Sequence, residues 1–273
     1  MHAPTRYYTI SPPVELTNYV RFFWVFEMDL PPQQEYVYRS LADSCAEMVF
    51  HYKGLFTSAD DLTDRTKVYS MIHAQTNNYR RFVTQGSFGI FGVYLFPFSI
   101  PRLLSIASNE LTNQIPDLKS LLGQSGVDLE EKMMLALDNT ARVKIVSEFL
   151  INRLQQQRKA PAIIQQAIVE AIRKEGKINI GEFPDQFFLS TRQFERQFKE
   201  NAGFSLKTYS RILRFHSALK EFGDKQISLT ELALNCGYYD QSHFVNDFKS
   251  FSGYTPGQYF KGFAEGTEYR QAD

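Results

Sequence analysis

The feature that most constrains this chain is a repeat near its C-terminal end. Two stretches fifty residues apart share one pattern: a helix-capping residue, then two phenylalanines four positions apart among polar neighbours. In the first, Ser190 with Gln193 three positions on forms a capping box that starts a helix, and Phe194 and Phe198 follow. In the second, Asp240 caps a helix over 241–249 that carries Phe244 and Phe248. Residues four apart share a helix face, so each ring pair points inward and lifts a polar surface outward. That surface is Arg192, Glu195, Arg196 and Lys199 in one copy, and Gln241, Ser242, Asn246 and Lys249 in the other.

Each copy is preceded by another helical segment. The first begins near Phe183, because Pro184 fits only in a first turn. The second begins at Ser228, with Glu231 completing a capping box. Leu232 and Ala233 face its core, and Gly237 is expected in a left-handed turn that a side chain would penalise. The spacing predicts a longer helix over 208–222 between the copies, with Tyr209, Ile212, Leu213, His216 and Leu219 in register. His216 reads as a packed or surface histidine, since nothing near it completes a metal site. The pattern is that of two helix-turn-helix units on one rigid connector. Neighbouring major-groove segments on one face of B-DNA lie roughly 34–36 Å apart, a spacing that two fixed helices can meet, with modest bending of the duplex if they sit closer.

Residues 178–260 resemble the DNA-binding domain of AraC/XylS-type regulators. The likeness is carried by LSTRQFERQFKENAGFSLKTYSRILRFHSAL at 189–219 and SLTELALNCGYYDQSHFVNDFKSFSGYTPGQYF at 228–260. Within them, Gly203-Phe204-Ser205 and Gly253-Tyr254-Thr255-Pro256 match the family's Gly-Phe-Ser and Gly-x-Thr-Pro patterns. The resemblance implies about seven helices and two groove-inserted reading helices. It places base contacts at Arg192, Glu195 and Arg196, then at Gln241, Ser242, His243 and Asn246. An arginine can donate two hydrogen bonds to guanine O6 and N7, whereas a glutamate must accept from a cytosine amino group or orient an arginine. Lys199 and Lys249 suit the phosphate backbone, which gives affinity without sequence information. The plainer reading of all nine is a solvated helix face.

The N-terminal segment, 1–109, reads as β. Val20 to Phe26 is an aromatic and β-branched run, and shorter candidates lie at 36–38, 47–52, 80–84 and 90–96, punctuated by glycines. A small barrel or sandwich is expected, and the order of segments resembles regulators with a cupin-like amino-terminal domain. Residues 110–160 read as a helical linker or dimerisation segment. Asp128 and Glu131 look like a capping box; Leu129, Met133 and Leu137 form one stripe, and Val143, Val146, Leu150 and Leu154 another, to roughly Arg158. These helices have two candidate partners, the β-segment and a second copy of the chain. An all-helical domain over 161–262 and a polar tail over 263–273 complete an α+β chain.

Composition narrows the chemistry. Apolar residues make up 43%, which favours a packed core, and the formal net charge is zero. Residues 161–263 carry 13 lysines and arginines against 11 acids, so attraction to DNA must come from charge placement. Cys45 and Cys236 form neither a disulfide-rich nor a metal-binding pattern and fit a reducing cytoplasm. Cys45 has no evident basic activator in sequence. No apolar run is long enough to span a bilayer. Only His2, His51 and His73 are available in the β-segment, without the pairing a metal cupin needs, so neither metal, cofactor nor enzyme is expected. The expected protein is a sequence-specific transcription regulator controlled by a small-molecule effector in its β-domain. Its partners are double-stranded DNA, a second copy as homodimer and RNA polymerase, with no membrane. The alternative is a ligand-independent regulator whose β-domain mediates protein interaction or oligomerisation.

Overall fold

The structure, a computed structural model, describes residues 6–59, 68–156, 162–222 and 227–263. Its first part holds eight strands: β1 (Arg6–Ile10), β2 (Val20–Met28), β3 (Glu35–Ser40), β4 (Ala46–Lys53), β5 (Thr57–Ser58), β6 (Ser70–His73), β7 (Arg80–Gln85) and β8 (Phe88–Leu95). They form two antiparallel sheets, ordered β1-β2-β8-β4-β6 and β3-β7-β5. The sheets face each other as a sandwich and do not close into a barrel among the described residues.

Strand β8 is buried at every position, which suits the middle of a sheet covered on both sides. One face of that sheet carries Phe23, Val25, Met48, Phe50, Phe91 and Val93, packed against helices. The other carries Phe22, Trp24, Phe26, Val49 and Ile90, with Tyr36, Tyr38 and Phe56 of the smaller sheet's side packed over them. Alternation along each strand sorts the residues between these layers. At Gly92 a Cβ would lie 1.9 Å from the Trp24 ring, so only glycine lets the indole cross β8.

The covering helices are α1 (Ser99–Leu104), α2 (Ser108–Leu111), α3 (Leu118–Leu122), α4 (Gln124–Leu135) and α5 (Asn139–Gln156). Leu103, Leu129, Met133, Val146 and Leu150 are buried against the larger sheet, so the stripes of α4 and α5 are spent there. Two local expectations are corrected. Asp128 is no cap: α4 begins four residues earlier at Gln124, after Gly123 turns the chain, and Asp128 accepts from the Gln124 side chain at 2.7 Å. Leu137 lies beyond the end of α4 and is 98% exposed, because the stripe stops where the helix does.

The second part is helical: α6 (Ala162–Arg173), a 3-10 helix (Phe183–Phe187), α7 (Thr191–Ala202), α8 (Leu206–Phe222), α9 (Leu229–Asn235) and α10 (Gln241–Ser252). Ile164, Ala167, Ile168 and Ala171 form the buried face of α6. They share a core with Phe194, Phe198, Tyr209, Phe215, Phe244 and Phe248, which Ala42 and Phe98 of the first part also join. The expectations at His2 and Arg158, and most of the polar tail, lie outside the described residues.

Candidate nucleic-acid interface

Helices α7 and α10 are built alike. Ser190 Oγ accepts from the Gln193 amide at 3.3 Å, and Asp240 Oδ1 accepts from the His243 amide at 2.8 Å. Gln193 does not close the box on the Ser190 backbone; its side chain accepts from the Ser190 hydroxyl at 3.1 Å. The Phe194 and Phe198 rings stack at 5.5 Å, the Phe244 and Phe248 rings meet edge-on at 5.6 Å, and all four are fully buried. Gly203 and Gly253 close the two helices in the left-handed conformation, with φ of 84° and 80°.

Between them, α8 packs against α7, α9 and α10. Its Arg211 holds Asp247 of α10, a carboxylate 2% exposed, with Nη2 donating to Oδ1 at 2.5 Å and Nε to both oxygens. Arg214, also on α8, donates to the Gly237 carbonyl at 2.9 Å in the turn before α10. Gly237 has the expected positive φ, 78°. These two arginines set the pose of α10 and have no signal in the spacing, since their partners lie 36 and 23 residues away.

The polar faces are open. Arg192, Arg196, Lys199, Gln241, Ser242, His243, Asn246 and Lys249 are exposed, and Glu195 is half-buried. Arg196 lies 3.8 Å from Glu200 one turn on, so Glu195 is not its ion-pair partner in this arrangement. Gln241 accepts from the Thr230 hydroxyl at 2.7 Å, which steadies its amide at the start of α10. His243 stands 3.8 Å from Asp247 and edge-on to Tyr238 at 5.5 Å. The turns before α7 and α10 each also present an exposed aromatic side chain: Phe188, 95% exposed with φ 53°, and Tyr239, 89% exposed.

A family model for a helix-turn-helix domain matches residues 185–262, the span that holds both capped helices and their connector. Residues 185–262 are a helix-turn-helix domain. The chain is 35% identical over 77 residues to the HTH-type transcriptional activator RhaS of Pectobacterium atrosepticum, covering 28% of each chain. It is 31% identical over 80 residues to RhaS of Escherichia coli O157:H7, covering 29% of each. The chain thus matches less than a third of the length of these curated relatives. Among solved structures, ToxT from Vibrio cholerae aligns over 98% of this chain and 100% of its own, at 11% identity and a TM-score of 0.47. The C-terminal domain of AraT, a response regulator from Geobacillus stearothermophilus, aligns over 42% of this chain and 95% of its own, at 21% identity and a TM-score of 0.36. Residues 8–117 match a domain of unknown function, DUF6597.

The helix-turn-helix domain is seated on the first part of the chain by the C-terminal ends of α7 and α10. At the end of α7, the Gly203 carbonyl accepts from the Thr112 hydroxyl at 2.9 Å, and the Asn201 carbonyl accepts from Ser108 at 2.9 Å. In the last turn of α10, the Ser252 carbonyl accepts from Arg39 at 3.4 Å, and the Ala42 amide donates to the Phe251 carbonyl at 3.0 Å. His216 of α8 lies 2.7 Å from the Ala42 carbonyl, a packed histidine as expected.

Between the two sheets lies a cavity of about 280 Å³, walled by Trp24, Val49, Phe56, Phe82 and Ile90. A smaller one of about 90 Å³ shares Tyr38, Glu47 and Arg80 with it and runs to His216 at the domain boundary. Cys45 faces the smaller cavity and does have a basic neighbour, Arg21, 3.8 Å from its Sγ. Burial nevertheless pushes the Cys45 thiol up to about 11, so it is not poised as a nucleophile. Both cysteines are free and buried. Among the described residues no cluster of three or more histidine, cysteine or acidic side chains could hold a metal, and no helix is long and apolar enough to cross a membrane.

Proposed function

We propose that the protein is a sequence-specific, double-stranded-DNA-binding transcription regulator controlled by a small molecule in its β-sandwich. The observation that carries this reading is the paired construction of α7 and α10. Each is backed by buried phenylalanines, polar along its exposed face and tied at its C-terminal end to the first part of the chain, α7 to Thr112 after α2 and α10 to Arg39 of β3. Such helices leave their N-terminal turns and outward faces to enter a groove.

In this reading Arg192, Glu195 and Arg196 read one segment of the major groove, and Gln241, Ser242, His243 and Asn246 read the next. Lys199 and Lys249 meet phosphates. The effector site is the cavity between the sheets, and the shared contacts at Arg39, Ala42 and Thr112 couple its state to the reading helices. The regulator works in the cytoplasm as a homodimer on repeated copies of its site, contacts RNA polymerase, and performs no catalysis. Two reduced, buried cysteines fit that compartment. The RhaS relatives are named transcriptional activators, which supports the regulatory role.

Selection from a random duplex library by the full-length protein tests the proposal. Enrichment of two motif blocks about one helical turn apart supports it. A folded protein that enriches no motif, and whose 162–263 segment also enriches none, overturns it.

A further inference from the structure

Among the described residues, the cavity lining includes His51, whose Nδ1 has no hydrogen-bond partner within the protein. Strand β4 turns Glu47, Val49 and His51 towards the space between the sheets, while Met48 and Phe50 pack on the helical side. His51 is 5% exposed. Its ring hydrogen-bonds the backbone of Val68, and Nδ1 is out of solvent with no hydrogen-bond partner. The Val68 bond is therefore made by Nε2, and the neutral ring keeps its lone pair at Nδ1. Burial holds the imidazole down at about 4, so Nδ1 is an acceptor throughout the physiological range.

The rest of the wall selects against net charge. Its aromatic and aliphatic side chains include Trp24, Phe56 and Phe82, with the His51 ring 5.7 Å from that of Phe56. Glu47 and Arg80 bring one charge of each sign to the lining. A carboxylate set against the Nδ1 lone pair would meet repulsion there and lose hydration without a matching excess of positive charge. A hydroxyl or N–H would complete a hydrogen bond at Nδ1. The volume lies just under the roughly 300–1,000 Å³ of drug-sized sites, which suits one ring with a short substituent.

Resting on the effector reading above, we propose that the cavity takes an uncharged ring-containing ligand with one hydrogen-bond donor, delivered to His51 Nδ1. This assigns His51 the selection of the effector class, and the apolar walls its affinity.

Calorimetric titration of the full-length protein near neutral pH with 4-propylphenol, propylbenzene and 4-propylbenzoate tests this without DNA. The three share a ring and alkyl chain and differ in one substituent. The phenol is expected to bind about tenfold more tightly than propylbenzene, the worth of one hydrogen bond, and at least about tenfold more tightly than the benzoate. Trp24, the single tryptophan, lies on the wall, so its emission should change on saturation with the phenol. In His51→Phe the preference for the phenol over propylbenzene should fall to near unity. The benzoate binding as tightly as the phenol, a phenol preference that survives His51→Phe, or no binding by any of the three would each overturn the proposal. The wild-type ranking decides the matter even if the variant folds poorly. Since the titration contains no DNA, its failure leaves the DNA-reading assignment to the duplex selection.

Discussion

The guanidinium of Arg39 on β3 lies over the ring of Tyr254, two residues past the end of α10, at 4.4 Å from its centroid. Tyr79 faces the same guanidinium at 4.7 Å, so the cation sits near two aromatic rings. It also donates to the Tyr254 hydroxyl at 3.3 Å and to the Ser252 carbonyl. The neighbouring Tyr38 lines the cavity between the sheets. One short stretch of β3 thus touches both the cavity and the end of α10, which gives a physical connection between them.

That contact predicts a stability effect at a distance from either core. Arg39→Ala removes two ring contacts and the hydrogen bonds, and should cost about 2 kcal/mol in unfolding experiments. Arg39→Lys should not restore the loss, because an ammonium lacks the planar, multi-donor shape used here. Hydrogen exchange at residues 251–254 should quicken in both variants. Unchanged exchange there would remove Arg39 as the tie between the domains.

The exposed reading faces predict binding losses without folding losses. Arg192→Ala and Arg196→Ala should each leave stability within about 0.5 kcal/mol and weaken specific binding by about 1–3 kcal/mol. Lys199→Ala and Lys249→Ala should weaken specific and non-specific duplexes alike. Each should also reduce the slope of log affinity against log salt by about one. Equilibrium binding over a salt series separates the two classes.

Much of this interface is legible in the sequence because it is set locally. Ser190, Asp240 and the four phenylalanines act within one or two turns, so spacing alone fixes which face is buried. Where tertiary contacts decide, spacing fails. Asp128 has a cap's sequence context, yet the turn at Gly123 starts α4 earlier. Strand β1, RYYTI, has an exposed edge and lacks a clean alternation; pairing with β2 makes it a strand. The short strands β5 and β6 likewise exist through their partners. Arg21 beside Cys45, Arg211 on Asp247 and Arg39 on Tyr254 all join distant segments, so no local pattern announces them.

The buried imidazole predicts a pH dependence of stability. The folded-state value of His51 is lowered to about 4 from the usual 6.5, mainly by burial. Between those values the unfolded chain binds the proton and the folded chain does not, so stability rises with pH across the window. The contribution is fully present above about pH 6.5 and is lost as pH falls towards 4, by up to about 3 kcal/mol. Urea unfolding of wild type and His51→Phe through this range checks it. The variant should show a shallower slope; equal slopes would mean that His51 titrates freely.

The central claim is that α7 and α10 read separate blocks of one site, and a double-mutant cycle between protein and DNA tests it most directly. Wild type and Arg192→Ala/Arg196→Ala are titrated against the selected duplex, and against duplexes with either block scrambled. The account predicts that the double variant's penalty nearly vanishes when the block under α7 is scrambled and persists when the other block is. The same penalty on all three duplexes would contradict it, because those arginines would then contribute affinity without reading sequence.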